Sequence, residues 1–212
     1  MDHHIQQTYL LFILTIYGLG GIGKTSLAKH VYGLYAHEFH TSSCIVDISR
    51  ICDGNFNELL DLQEQPYSDI SKTRPIKFHD VSVYTAKIEN ALSRKRILLV
   101  LDDISTLVQL DALLGSKGFH SRRKIIITTK DSWLTESCSL FETNIKPSHE
   151  RHLLQGLRNI ASQQLLCSHA FMCNQPKAGY GEVSDKLVKY CEGHPLALEV
   201  LGKSLHNRDL AY

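Results

Sequence analysis

Residues 18–25 (GLGGIGKT) carry the clearest chemistry in this sequence of 212 residues. They match the pattern G-x-x-x-x-G-K-[ST], in which a curled, glycine-rich backbone turns its N–H groups towards phosphate oxygens. Lys24 is expected to reach the β- and γ-phosphates, and the Thr25 hydroxyl is expected to bind magnesium. The loop therefore predicts a site for ATP or ADP with Mg²⁺. The predicted nucleotide-binding residues of this segment are Gly18, Gly20, Gly21, Ile22, Gly23, Lys24, Thr25 and Ser26.

Two acidic residues, Asp102 and Asp103, follow the apolar run at 97–101. An apolar strand ending in acids is typical of a Walker B segment. Asp102 would hold magnesium, directly or through water, and Asp103 would orient or deprotonate an attacking water. Alone, the pair would read as two solvated acids that cap a loop or helix. Together with the phosphate loop, the magnesium role is favoured.

A lysine, Lys130, follows the apolar run at 124–129. In an open α/β sheet, ligands bind beyond the carboxyl ends of the strands. Lys130 is therefore either a sensor of the γ-phosphate or an ordinary surface lysine.

The elements that position these residues follow from hydrophobic patterning. Continuous apolar runs predict buried parallel strands, and apolar residues at helical spacing separate them, so the fold class is α/β with a parallel sheet. A small all-helical subdomain follows, and the boundary is placed near Arg158, giving domains 1–158 and 159–212. The predicted strands are 12–17, 44–48, 97–101 and 124–129; the predicted helices include 81–92, 160–171, 183–191 and 195–205.

Composition narrows the class of protein. The net charge of +1 gives no electrostatic reason to bind nucleic acid. The apolar run at 9–17 is too short to span a bilayer, and the start of the sequence does not resemble a signal peptide. Six cysteines without a CxxC pair indicate reduced thiols. We expect a cytoplasmic protein.

Four segments together resemble one family: residues 18–32, 97–104, 124–131 and 191–202. Their order and content resemble the P-loop, kinase-2, RNBS-B and GLPL motifs of the NB-ARC domain of plant intracellular immune receptors, the nucleotide-binding leucine-rich-repeat proteins. Residues 163–171 (QQLLCSHAF) look like the RNBS-C motif of the same family. The resemblance covers nearly the whole chain.

The resemblance implies a molecular switch that holds ADP at rest and ATP when active. It implies a P-loop sheet in which strand 124–129 lies between 12–17 and 97–101, with 44–48 at the far edge and a fifth strand near 151–156. The helical tail would be an ARC1-like subdomain. The implied roles are phosphate binding for Gly23, Lys24 and Thr25, magnesium for Asp102, catalytic acid for Asp103, γ-phosphate sensing for Lys130, and nucleotide contact for Pro195.

Several positions depart from the family pattern. His194 stands where the GLPL motif has leucine, a change that a surface would tolerate, and Lys130 replaces an arginine and loses its planar fork. Ser105 stands where receptors with coiled-coil amino termini tend to have tryptophan, which favours the TIR type. The sequence begins one strand before the phosphate loop and ends at Tyr212, so we expect a fragment or truncated paralogue of a larger receptor.

Three functions remain open at this point. The first is the switch module of a plant disease resistance protein in defence signalling, with nucleotide and other receptor domains or chains as partners. The second is an autonomous P-loop ATPase. The third is an interaction remnant that binds little nucleotide. We expect a slow ATPase at most.

Overall fold

The computed structural model describes residues 12–52, 55–72, 77–93, 96–115, 123–136 and 148–206. The described residues form two compact units. The first comprises those up to Gly18 and from Lys24 to Leu153, and the second comprises residues 19–23 and those from Leu154 onwards. Five residues of the glycine loop therefore group with the carboxyl-terminal helices.

The first unit is built on a parallel sheet. Within the described residues it has five strands in the order β2-β3-β4-β1-β5, and all four pairings are parallel. This confirms the predicted order, including the place of the fifth strand beside β1. The strands are β1 Phe12–Tyr17, β2 Thr41–Ile45, β3 Ile97–Ile104, β4 Arg123–Thr129 and β5 Ser148–Leu153.

Helices cover this sheet. Apolar side chains of alternate strand positions, such as Leu99 and Ile127, share one core with side chains of the helices, such as Leu62 and Leu113. The intervening positions are buried as well, Val100 among them. Both faces of the central strands are thus covered, which confirms the predicted α/β class. The helices of this unit are α1 Lys24–Tyr35, α2 Ile48–Ile51, α3 Phe56–Ser71, α4 Val81–Ser93 and α5 Leu107–Leu114.

Strand β4 begins one residue before its predicted start, at Arg123, and three other strands differ from the prediction by more than one residue. Strand β2 was expected at 44–48, but it lies at Thr41–Ile45, and Ile48 begins α2. Strand β3 was expected to stop at Asp102, but it continues to Ile104 after the pairing with β4 shifts beyond Leu101. Strand β5, expected near 151–156, begins three residues earlier, at Ser148. Both β2 and β5 are rich in polar residues, which concealed their extent.

The second unit contains the three predicted helices, α6 Asn159–Phe171, α7 Gly181–Cys191 and α8 Pro195–Leu205. Leu166, Val188 and Leu198, one residue from each helix, pack in a common core. As predicted, Pro195 occupies the first turn of α8, where its missing N–H costs nothing.

The crossing of α6 and α8 leaves no room at Gly202. A Cβ added there would lie 2.7 Å from the Leu166 carbonyl oxygen and 2.9 Å from the His169 Cβ. We expect Gly202→Ala to lower the free energy of unfolding by about 1–3 kcal/mol, because the helices must move apart. Urea denaturation followed by circular dichroism measures the change. Val200→Ala, at an exposed position of the same helix, is the control, and equal stability of the two variants would contradict the close crossing.

Candidate functional site

The glycine loop runs from the end of β1 to the start of α1. Gly18, Gly21 and Gly23 have φ values of 147°, 74° and 101°, a backbone region that residues with side chains rarely adopt. Left-handed residues within a turn let neighbouring backbone N–H groups point into one concave anion site. A Cβ at Gly23 would meet nothing within 4 Å, so space beside this residue is open.

Lys24 is the first residue of α1, and its side chain folds back onto the loop. It is only 6% exposed, and its Nζ donates a hydrogen bond of 2.8 Å to the Gly18 carbonyl oxygen. Burial lowers the pKa of Lys24; Asp103 and Asp102 oppose this effect, whereas Lys130 adds to it. A bound anion would favour the charged form of this buried ammonium group.

The carboxylate of Asp102 is buried and accepts three hydrogen bonds. The residue is 1% exposed. Its Oδ2 accepts hydrogen bonds from the Thr25 hydroxyl at 3.0 Å and from the Asp47 N–H at 3.3 Å. Its Oδ1 accepts one from the Thr128 hydroxyl at 2.6 Å. Thr25 and Asp102, which the sequence assigns to magnesium, are thus in contact.

The donor set around Asp102 suits a hard cation. A carboxylate oxygen and a hydroxyl oxygen, 3.0 Å apart, come from Asp102 and Thr25. Mg²⁺ prefers such oxygen ligands and usually completes its octahedron with water and substrate phosphates. The residues present therefore fit magnesium.

The backbone of Asp103 lies in the left-handed region, with φ of 59°. Its N–H donates to the Thr128 hydroxyl at 2.8 Å. One of its carboxylate oxygens accepts a hydrogen bond from the Ser49 hydroxyl. The other lies 3.5 Å from the Nζ of Lys130. Lys130, predicted as either a γ-phosphate sensor or a surface lysine, thus pairs with Asp103.

Three residues of this site escaped the sequence analysis: Asp47, Ser49 and Thr128. Thr128 was seen only as part of a strand tip, although its hydroxyl contacts both acids. Asp47 and Ser49 lie just beyond β2, at the carboxyl edge of the sheet. Because the strand was predicted at 44–48, Asp47 was assigned to its interior. Knowing that β2 ends at Ile45 would have placed Asp47 and Ser49 at the edge of the sheet.

The remaining predicted residues lie on both units. Ser26 is exposed on α1, and Ile22 is buried. In the second unit, Gly20 accepts a hydrogen bond from His194, the residue before Pro195. The sequence analysis assigned a nucleotide contact to Pro195 and treated His194 as a surface residue.

Comparison with known proteins finds a protein family whose model matches most of this chain. The model of the family described as "NB-ARC domain" matches residues 3–175. Disease resistance protein RPV1 of Vitis rotundifolia is 31% identical over 97% of this chain and 15% of its own length. TMV resistance protein N of Nicotiana glutinosa is 29% identical over 92% of this chain and 16% of its own length.

A solved structure supports the fold alone. The crystal structure of Cdc6p from Pyrobaculum aerophilum superposes with a TM-score of 0.59 at 14% identity, over 91% of this chain and 54% of that chain. In the part of the chain that the structure describes, no helix is both long and apolar enough to cross a membrane.

We expect Thr128→Val to weaken magnesium binding in the presence of ADP roughly 10-fold, because the change removes the hydrogen bond that orients Asp102. The valine keeps the shape of the buried side chain. Calorimetric titration of magnesium into the ADP-loaded protein measures the effect.

The matched control for this measurement is Thr129→Val. Thr129 is equally buried, but its hydroxyl accepts a hydrogen bond from the Asp131 N–H instead of contacting the two acids. Equal magnesium affinities of the two variants would contradict the orienting role.

Proposed function

The chain belongs to the NB-ARC domain family, and on that premise we propose that it is an ADP/ATP-binding switch module of a plant disease resistance protein. One observation carries the proposal. The Thr25 hydroxyl at the start of α1 donates a hydrogen bond to the buried Asp102 carboxylate in the last part of β3, and the ammonium group of Lys24 is turned back onto the loop. The residues proposed to bind phosphate and magnesium therefore lie at the same edge of the sheet.

The binding chemistry follows from these residues. Lys24 neutralises phosphate charge, and the backbone N–H groups of the glycine loop donate hydrogen bonds to the oxygens of a polyphosphate. Bound magnesium, held by Thr25 and Asp102, would spread the charge of the β- and γ-oxygens. For Pro195, a nucleotide contact is proposed on the family resemblance alone.

Hydrolysis is the weaker part of this chemistry. A water-activating Asp103 needs a free carboxylate oxygen, and here one oxygen accepts from Ser49 while the other faces Lys130. Lys130 itself cannot grip two phosphate oxygens as an arginine does. The protein therefore holds nucleotide more readily than it hydrolyses it, and ADP is its resting ligand.

The wider function belongs to a larger receptor. This chain spans 15% of the length of RPV1 and 16% of that of protein N. We place the module in the cytoplasm, where it passes the identity of its nucleotide to other domains or chains of the receptor in defence signalling. The division into a nucleotide-binding domain at 1–158 and a helical subdomain at 159–212 is part of this proposal.

We expect Lys24→Ala to raise the Kd for ADP about 10- to 100-fold, because a hydrogen bond between charged groups, worth about 1.5–3 kcal/mol, is lost. Calorimetry with purified protein measures the affinity. Lys29→Ala, at an exposed position of α1, removes the same charge away from the loop and should bind as the wild type does. Undiminished binding by Lys24→Ala would contradict the proposal.

Turnover should be slow in the wild type, and Asp103→Asn should change it little, since Asp103 is engaged by Ser49 and Lys130. Single-turnover hydrolysis of labelled ATP tests this expectation. Rapid hydrolysis that Asp103→Asn abolishes would identify an autonomous ATPase instead. A wild-type protein that binds neither nucleotide would leave only the interaction remnant.

A further inference from the structure

His194 bridges two backbone segments of the second unit. Its Nε2 lies 2.8 Å from the carbonyl oxygen of Gly20 in the glycine loop. Its Nδ1 accepts a hydrogen bond of 3.3 Å from the N–H of Ala197, which makes His194 the N-cap of α8. The side chain is half-buried between these partners.

The two contacts together define the tautomer of the ring. A backbone N–H can only donate, so Nδ1 is the unprotonated nitrogen that accepts from Ala197. A neutral imidazole then carries its proton on Nε2, and the Gly20 carbonyl oxygen is an acceptor for it. His194 therefore donates to the loop and accepts from the helix at the same time.

A second contact holds the next peptide of the loop. The Leu196 N–H donates to the carbonyl oxygen of Gly21 at 3.4 Å. A Cβ at Gly21 would lie 2.8 Å from the Leu196 Cβ and 2.9 Å from the His194 Cε1, so only glycine fits against this helix start. Two consecutive loop carbonyls thus face the first turn of α8.

Peptide planarity passes this constraint to the other side of the loop. In a trans peptide the C=O and the following N–H point in opposite directions. A Gly20 carbonyl held by His194 therefore turns the Gly21 N–H away from α8. That N–H is one of the donors available to a phosphate oxygen, and its direction is fixed before the ligand arrives.

We propose that His194 is a positioning residue for the phosphate-binding loop: it holds the Gly20 peptide so that the loop is preorganised for the polyphosphate of a nucleoside diphosphate. The inference rests on the proposed nucleotide binding. The positioning residue is the histidine that stands where the GLPL motif has leucine. A leucine side chain has no hydrogen-bond donor for the Gly20 carbonyl oxygen.

Two substitutions separate the two hydrogen bonds of His194. In His194→Asn, the amide oxygen takes the place of Nδ1 and keeps the cap of α8, but the shorter side chain does not reach Gly20. In His194→Gln, the amide nitrogen takes the place of Nε2 and keeps the bond to Gly20, whereas the longer side chain is a poorer cap. A purely structural role predicts that Gln is the more damaging change, and a positioning role predicts the reverse for affinity.

The experiment titrates the full chain with ADP and magnesium by calorimetry and records the thermal melting of each variant. We expect His194→Asn to raise the Kd for ADP roughly 3- to 10-fold with little change in melting, as for the loss of one hydrogen bond. We expect His194→Gln to stay within about twofold of the wild-type Kd although it melts earlier. The corresponding changes at His30, which is exposed on α1, are the controls.

Two results would overturn the positioning role: wild-type affinity in His194→Asn, or an affinity loss in His194→Gln as large as that in His194→Asn. Lys24→Ala is included to keep the two proposals apart. If Lys24→Ala loses ADP and His194→Asn does not, only the positioning role fails. If the wild type itself binds no ADP, the proposed function fails and the positioning role falls with it.

Discussion

The buried carboxylate of Asp102 is the constraint on which the rest of the first unit depends. A charge at 1% exposure is tolerated only when hydrogen bonds replace its water. Its donors come from three elements: Thr25 of α1, Thr128 of β4 and the Asp47 N–H beyond β2. Because β3 lies between β2 and β4, this sheet order is also what satisfies the carboxylate.

The neighbouring Asp103 shows how one strand end presents two acids. Successive side chains of a regular strand point to opposite faces, so two adjacent acids cannot face one site without a change in the backbone. At Asp103 the φ angle turns to 59° and the pairing of β3 with β4 shifts. The hydroxyl of Thr128 stabilises this turn because it accepts from the Asp103 N–H and donates to Asp102.

The sequence predicted most of the fold because the central strands are buried on both faces and therefore read as continuous apolar runs. Strand β2 carries Thr41 and Ser43 as buried residues, and the Ser43 hydroxyl donates to Asp69 at 2.6 Å. Such long-range partners are invisible in a sequence, so the strand was placed three residues late. The edge strand β5 was predicted too late for the same reason: its partly buried His149 lies 3.0 Å from the Thr15 hydroxyl, and partial burial lowers the pKa of this histidine.

The same distinction applies to the site. Lys24, Thr25 and Asp102 stand in local motifs, so their types and spacing alone predicted them as site residues. Ser49, Thr128 and His194 act through contacts with residues distant in the chain. Residues of these types are common at strand ends and helix caps, so only the folded structure shows which groups their side chains contact.

The charges of the first unit suggest how the proposed switch distinguishes its ligands. Lys130 is 64% exposed where it faces Asp103 at 3.5 Å, and an ion pair at such a surface contributes about 0–1 kcal/mol. ADP brings no γ-phosphate to compete for this lysine, so the pair would persist beside a bound diphosphate. The γ-phosphate of ATP carries more charge than a single carboxylate and would draw Lys130 away, at small cost. Asp103 would keep its hydrogen bond from Ser49, so the proposed exchange of ADP for ATP would move one cation at the site.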